Sequence, residues 1–378
     1  MESGNKKRIR VGVLFGGRSG EHEVSLVSAA SVIRALDPKK YEAVPVGISK
    51  DGRWLVGGNT RSLLAEVLRS GQRMMLPGDP EAAMLVPMGP GQEGAVRVDV
   101  VFPVLHGTFG EDGSIQGLLE LAGLPYVGSG VLASAVGMDK DVQKRLFRHE
   151  GLPVTDYVAI QRSTWETEPK SVLRAVWKQL KCPVFVKPAT LGSSVGMTKV
   201  KKPGDLTAAL NTAAEFAQKI LVERAIDARE IEVAVLGNEK PMASIPGEIV
   251  PHREFYDYTA KYLEEGTKLV IPAKLTKAQV KKFQDCAARA FRAVEGAGMS
   301  RVDFFLERRT GKIYINEINT IPGFTSISMY PKLWEASGIA YRDLIDRLIE
   351  LALALHAEKQ RTKYSIELPK GPAGALEG

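Results

Sequence analysis

Apolar residues fall along this chain in short blocks, and the stretches between them carry helical spacing. The first block, Ile9-Arg10-Val11-Gly12-Val13-Leu14-Phe15, runs into Gly16-Gly17-Arg18-Ser19-Gly20 and is followed by a predicted helix from about Glu23 to Leu36. A second block spans Ala43 to Ile48 and a third Val98 to Leu105. Strands alternating with helices in this way predict a parallel sheet flanked by helices. The Pro- and Gly-rich stretch from Pro87 to Gly94 reads as a loop inside that unit. From about residue 139 the pattern predicts a helix, a strand at Val184-Phe185-Val186-Lys187-Pro188, a Gly/Ser loop, and a helix from about Pro203. The remainder carries longer strands and a terminal helix from Tyr341 to His356. The tail from Leu368 to Gly378 has Pro and Gly but few apolar residues and reads as disordered.

Candidate chemistry gathers where apolar blocks end. Lys312-Ile313-Tyr314-Ile315 leads into Asn316-Glu317-Ile318-Asn319. Alternate residues of a strand face one side, so Glu317 and Asn319 project oxygens into one space. Asp303, in Arg301-Val302-Asp303-Phe304-Phe305-Leu306, adds a third oxygen if the two runs pair. Hard oxygen donors without His or Cys suit magnesium and a phosphate ligand; a solvated strand end is the bland alternative. Gly192-Ser193-Ser194-Val195-Gly196 lies just beyond Lys187, and such a loop offers amides, hydroxyls and a point charge to phosphate. Neither this loop nor Gly16–Gly20 matches the P-loop or Rossmann pattern. By itself the Gly/Ser loop is a weak signal and reads more readily as plain surface. Leu221-Val222-Glu223-Arg224-Ala225-Ile226, with Glu230 beyond it, could offer an edge and carboxylates to a purine and a ribose, or be an ordinary strand and turn. His106 follows the third block, where ligands of parallel sheets collect, and the helix from about Ser114 would turn its amides there; a purely structural histidine is the equal alternative. Glu254-Phe255-Tyr256-Asp257-Tyr258-Thr259-Ala260-Lys261-Tyr262 is rich in aromatics and charge without helical period. It reads as a lid that excludes water, or as a packed surface loop.

Composition narrows the class. A chain of 378 residues exceeds one ordinary domain. Its 44% hydrophobic and 25% charged content is that of a soluble globular protein, with no run long enough to span a membrane. The start lacks a signal-peptide pattern, and two cysteines, Cys182 and Cys286, make no disulfide framework or cysteine metal site. A cytoplasmic enzyme is the expectation. The net charge of +7 is scattered among acids without a basic, aromatic-rich run, so an anionic small molecule fits it better than nucleic acid.

Taken in order, these blocks resemble the D-alanine–D-alanine ligase family of the ATP-grasp superfamily. The matching residues are Leu14-Phe15-Gly16-Gly17 with Glu21-His22-Glu23-Val24-Ser25, His106-Gly107-Thr108-Phe109-Gly110-Glu111-Asp112-Gly113, and Met138-Asp139-Lys140. Lys187-Pro188 with the Gly/Ser loop, Tyr256–Tyr262, Arg301–Phe304 and Asn316–Gly323 complete the series. The resemblance covers about residues 8 to 357 and implies an α/β fold, α+β in the C-terminal lobes: a three-domain ATP-grasp architecture with an N-terminal parallel-sheet substrate domain. The implied boundaries are 1–138, 139–226 and 227–365, with the tail 366–378.

The resemblance also implies roles. Lys140, Lys187, Ser193, Ser194 and Lys261 would serve the phosphates, and Asn316 would also bind ATP. Glu223, Ala225 and Ile226 would meet adenine, and Glu230 the ribose. Asp303, Glu317 and Asn319 would hold two magnesium ions, with manganese as a substitute. Glu21 and His106 would bind the first D-alanine, Ser328 with the amide of Met329 the carboxylate of the second, and Tyr256 would also contact substrate. Arg301 and the Gly323 amide would stabilise the oxyanion, and Glu21, Ser193 and Tyr262 would lock the lid, leaving open which group is the base. Tyr262 favours a dipeptide product over the depsipeptide with D-lactate. Ala189-Thr190-Leu191 departs from the family, where many members carry a charged residue. A homodimer is implied, with D-alanine and ATP as partners and neither nucleic acid nor membrane. Another ATP-grasp carboxylate–amine ligase, or a basic non-catalytic binding protein on this fold, are the competing readings.

Overall fold

The computed structural model describes residues 7–57, 64–89, 94–250, 268–325 and 327–365. The lid residues Tyr256, Lys261 and Tyr262, and the tail 366–378, lie outside the described residues.

The first apolar block becomes β1 (Ile9–Gly16), and its near-continuous run of apolar residues has a physical cause. Val11, Val13 and Phe15 face one core with the helix His22–Ala35, while Leu14 faces a second with Ile115 and Leu119. A strand covered on both faces needs no polar alternation. β1 pairs in parallel with β2 (Tyr41–Ile48) on one side and β7 (Val100–Pro103) on the other. The expected parallel sheet stops there. β3 (Trp54–Val56), β4 (Gln72–Met75), β5 (Met84–Pro87) and β6 (Val96–Arg97) extend it beyond β2 as an antiparallel run. These strands are short and half-exposed, and antiparallel pairing tolerates a wet face where parallel pairing rarely does.

Two antiparallel sheets follow. The first has the order β10–β9–β11–β8, from β8 (Tyr157–Gln161), β9 (Val184–Pro188), β10 (Thr198–Val200) and β11 (Lys219–Arg224). Its own core joins Val184, Val186, Ile220 and Val222 to the helices Pro169–Gln179 and Leu206–Phe216. The second runs β15–β14–β12–β16–β17, with β13 (Met242–Ala243) paired to β12. Its strands are β12 (Ala228–Gly237), β14 (Gly247–Val250), β15 (Lys268–Val270), β16 (Gly298–Glu307) and β17 (Ile313–Asn319). The helix Lys277–Ala293 covers one face, started by a capping box between Thr276 and Gln279.

The terminal helix Tyr341–Lys359 returns to the N-terminal sheet, where Leu344, Ile345, Leu348 and Ile349 share a core with Val11, Val13, Val100 and Phe102. Lys40 pairs with Asp346 at 2.6 Å, and Lys359 pairs with Glu120. Among the described residues no helix is long and apolar enough to cross a membrane.

Candidate active site

The two antiparallel sheets face each other across a cleft of about 600 Å³. Lys140, Lys187, Ser193, Ser194, Glu223, Ala225, Ile226, Glu230, Asp303, Asn316 and Glu317 all line it. The Gly/Ser loop turns sharply because Ser193 and Ser194 hold φ of +52° and +59°, and Gly196 follows at +69°. Left-handed backbone on two consecutive non-glycine residues is strained, and such strain concentrates at ligand-gripping turns. Lys140 opens the helix Lys140–His149, which Asp139 caps by accepting from the amides of Asp141 and Val142. The Lys140 ammonium donates to the Leu191 carbonyl at 2.9 Å and lies 3.1 Å from Glu317.

Glu223 sits at the end of β11, buried, with three donors on it. Lys144 lies 2.8 Å from one oxygen, the Thr155 hydroxyl donates to the same oxygen, and Lys187 reaches the other at 2.5 Å. Burial works against the charge of Glu223, but the two ammonium groups outweigh it and hold the carboxyl down at about 2. The Lys144 ammonium, fully enclosed, is pushed by burial down to about 8. Sequence reasoning passed over Lys144 and Thr155, because a lysine in the charged run Lys140-Asp141-Val142-Gln143-Lys144-Arg145 reads as solvated.

Asp303 lies opposite Glu317 on neighbouring strands, and the ladder slips between Asp303 and Phe304, leaving Asn316 as an extra residue. This bulge lets Asn316 and Glu317 both face the cleft while Ile315 and Ile318 stay in the core. Asn316 accepts from Lys187 at 3.4 Å, and Asn319 donates to Asp303 at 3.0 Å. Arg301 grips Asp303 with two hydrogen bonds of 2.7 Å and lies 3.0 Å from Glu232, a buried acid that the sequence reading missed. Burial opposes the charge on Arg301, but Asp303 and Glu232 more than offset it and keep the guanidinium firmly protonated. Among the described residues no three of His, Cys, Asp or Glu gather at metal-ligand spacing. The candidate set is two carboxylates and an amide, all oxygen donors, two of them directly opposed across a strand pair. That chemistry fits magnesium or manganese, provided the Lys140 and Arg301 contacts yield to the cation.

At one end the cleft meets the N-terminal sheet. Ser193 donates to Glu21 at 2.5 Å, joining the Gly/Ser loop to the residue that precedes the helix His22–Ala35. His106 is buried, with Nδ1 3.2 Å from the Ile321 carbonyl and Nε2 3.3 Å from Ser28 Oγ. Burial, helped by Arg301 and opposed by Glu21, pushes the imidazole below its ordinary value, so it is neutral at pH 7. Glu111, also missed by sequence reasoning as a separate candidate, accepts from the amides of Gly107 at 2.7 Å and Ile321 at 3.3 Å. It thereby ties the His106 loop to the stretch after β17. Gly107 holds φ at +75°, and a Cβ there would lie 2.7 Å from Ser19 Oγ and 3.1 Å from Glu21. Past β17, Gly323 packs against Ser328, whose hydroxyl accepts from Thr325 at 3.1 Å. Ser328 and Met329 open the helix Met329–Ala336. Gly323, Ser328 and Met329 do not line the nucleotide-sized cleft itself.

Two family models match most of the chain: the D-ala D-ala ligase N-terminus matches residues 10–129, and the D-ala D-ala ligase C-terminus matches residues 146–350. The chain belongs to the D-alanine–D-alanine ligase family. A D-alanine–D-alanine ligase of Heliobacterium modesticaldum is 51% identical over 352 residues, 93% of this chain and 96% of the relative. The D-alanine–D-alanine ligase of Coxiella burnetii superposes with a TM-score of 0.82 at 39% identity, covering 94% of this chain and 96% of that one. A D-Ala:D-Ser ligase of Enterococcus faecalis superposes with a TM-score of 0.83 at 34% identity, covering 92% and 100%. A D-alanine–D-alanine ligase and a D-Ala:D-Ser ligase therefore share this backbone.

Proposed function

We propose that the protein joins two D-alanine molecules into D-alanyl-D-alanine while converting ATP to ADP and phosphate, supplying a peptidoglycan precursor. The observation that carries this reading is the 2.5 Å bond from Ser193 to Glu21, which joins the Gly/Ser loop of the cleft to the residue preceding the first helix of the N-terminal sheet. Lys140, Lys187, Ser193, Ser194 and Asn316 would hold the phosphates, and Lys261 would reach the terminal one from the lid. The adenine would lie against Ala225 and Ile226 with Glu223 near its amino group, and the ribose on Glu230. Both Glu223 oxygens already accept from lysines, so this acid would also hold Lys187 in place for the phosphates. Asp303, Glu317 and Asn319 would hold two magnesium ions, or manganese, whose charge offsets that of the phosphoryl group when bound.

Glu21 would take the ammonium of the first D-alanine, with His106 near its carboxylate and Tyr256 beside it. That carboxylate attacks the terminal phosphate, giving an acyl phosphate and ADP. The amine of the second D-alanine, its carboxylate held at Ser328 and the Met329 amide, then attacks the acyl carbon, and the acyl C–O bond breaks to release phosphate as the amine loses its proton. Arg301 and the Gly323 amide would carry the tetrahedral oxyanion. Glu21, Ser193 and Tyr262 form the candidate set for the lid lock and for removing the amine's proton. The 1–138, 139–226 and 227–365 division, a homodimer and a cytoplasmic location complete the reading.

Glu317→Gln should lower turnover by about a thousandfold or more with the circular-dichroism spectrum unchanged. Substantial retained activity would refute the cation assignment. The second reading, a ligase for D-serine or D-lactate, draws on the D-Ala:D-Ser neighbour. Supplying D-serine or D-lactate beside D-alanine, and separating the products by chromatography, decides between them.

A further inference from the structure

A row of three carboxylates crosses the larger antiparallel sheet. Glu232 on β12 lies opposite Asp303 on β16, and Asp303 lies opposite Glu317 on β17. Cross-strand partners share a face with Cα atoms about 5 Å apart, so like charges in such a row repel. Cations between them offset the cost. Lys140 lies against Glu317 at 3.1 Å, and Arg301 bridges the other two. Its Nε donates to Asp303 Oδ1 at 2.7 Å and lies 3.0 Å from Glu232 Oε2, while Nη2 donates to Asp303 Oδ2 at 2.7 Å.

Two of these acids have a task in the ligase reading, and Glu232 has none. That reading sets a conflict on Asp303. Its carboxylate is wanted by a divalent cation, yet both its oxygens are engaged by Arg301, whose guanidinium must face the reacting carbonyl oxygen. If Asp303 were the only anchor, turning it to the cation would release the arginine. If it held the arginine, the cation would lose a ligand. A second carboxylate on the guanidinium resolves this, and Glu232 supplies it: buried and directly opposite Asp303, it lies 3.0 Å from the same Nε that donates to Asp303.

We infer that Glu232 is the positioning residue for Arg301: it retains the guanidinium while Asp303 serves a divalent cation, so that cation binding and the aim of Arg301 are compatible. Glu232 touches neither substrate nor cation in this role. The inference rests on the ligase reading and adds to it a residue and a competition between two charges for one carboxylate. Removing the Glu232 charge without changing its shape leaves Arg301 wholly on Asp303, and the cation must then displace it unaided.

The test is ADP binding by calorimetry at stepped magnesium concentrations, which needs no turnover. Glu232→Gln should raise the magnesium concentration for half-maximal tightening of ADP by about tenfold. It should also lower kcat by about tenfold or more while the KM for ATP at saturating magnesium stays within about threefold. In an Arg301→Met background the competitor is gone, so adding Glu232→Gln should leave the magnesium midpoint within about twofold. Should the glutamine variant fail to fold, Glu232→Asp withdraws the carboxylate from the guanidinium and should raise the midpoint by about threefold. An unchanged midpoint in whichever variant folds overturns the inference, as does a shift that persists without Arg301. Wild-type protein that shows no magnesium-dependent ADP binding, or makes no dipeptide, would instead overturn the ligase reading and this inference with it.

Discussion

The Lys144 ammonium is cut off from water and keeps its charge beside Glu223, 2.8 Å away, in a pocket that also holds Lys187. Breaking a buried pair from one side leaves an uncompensated charge, which costs far more than the pair contributes. Lys144→Met should therefore destabilise the fold by about 3–5 kcal/mol in denaturant titration. A loss below about 1 kcal/mol would mean that Lys187 and Thr155 satisfy Glu223 alone. Glu111 sets a pH dependence. Burial first, then the charge of Glu21, pushes its carboxyl up to about 8 against the two amides that donate to it. Below its ordinary value of 4.5 the group is protonated folded or unfolded. Between 4.5 and about 8 only the folded state keeps the proton, so stability falls as pH rises through that window and levels off above it. Thermal melts from pH 5 to 8 should show this decline in the wild type and a flatter profile in Glu111→Gln; identical slopes would contradict the assignment.

At the scale of the element, the bulge in β17 decides what reaches the cleft. Asn316 is the extra residue, and its neighbours Ile315 and Glu317 keep the partners Phe304 and Asp303. Deleting Asn316 should close the ladder, preserve the fold and keep Glu317 opposite Asp303, but remove the contact to Lys187. ADP affinity by calorimetry should drop by about tenfold with little change in melting temperature; unaltered affinity would mean the bulge has no part in nucleotide binding. This strand also marks what could be read beforehand. The apolar alternation of Ile313 and Ile315, and the same-side placement of Glu317 and Asn319, follow from period two alone. The bulge is visible only as a break in that period, where two polar residues separate Ile315 from Ile318, and its meaning needs the partner strand. Glu230 and Glu232 are two apart in β12, so the signal for Glu232 was present as well. Lys144 carried no such signal, since its burial depends on Glu223, far along the chain. The antiparallel edge of the first sheet was equally hidden, because strands of two to four residues leave no alternation to read.

For the whole molecule, the N-terminal sheet and the terminal helix share one core, whereas the β8–β11 sheet has its own. A fragment of residues 1–138 would bare Val100 and Phe102, which lose the terminal helix and Phe324, and it should bind the dye ANS and lack a cooperative melt. The fragment 139–226 keeps its core and should melt cooperatively; the reverse outcome would contradict this division. Both antiparallel sheets bring their charges to the one cleft that the Ser193–Glu21 bond joins to the N-terminal face. The central claim is that a D-alanine carboxylate attacks ATP there. The direct measurement supplies D-alanine with heavy oxygen in its carboxylate, together with ATP and magnesium, and follows phosphate and dipeptide by mass spectrometry. The account predicts one labelled oxygen in the released phosphate for each D-alanyl-D-alanine formed. Unlabelled phosphate, or phosphate release without dipeptide from folded protein, would contradict it.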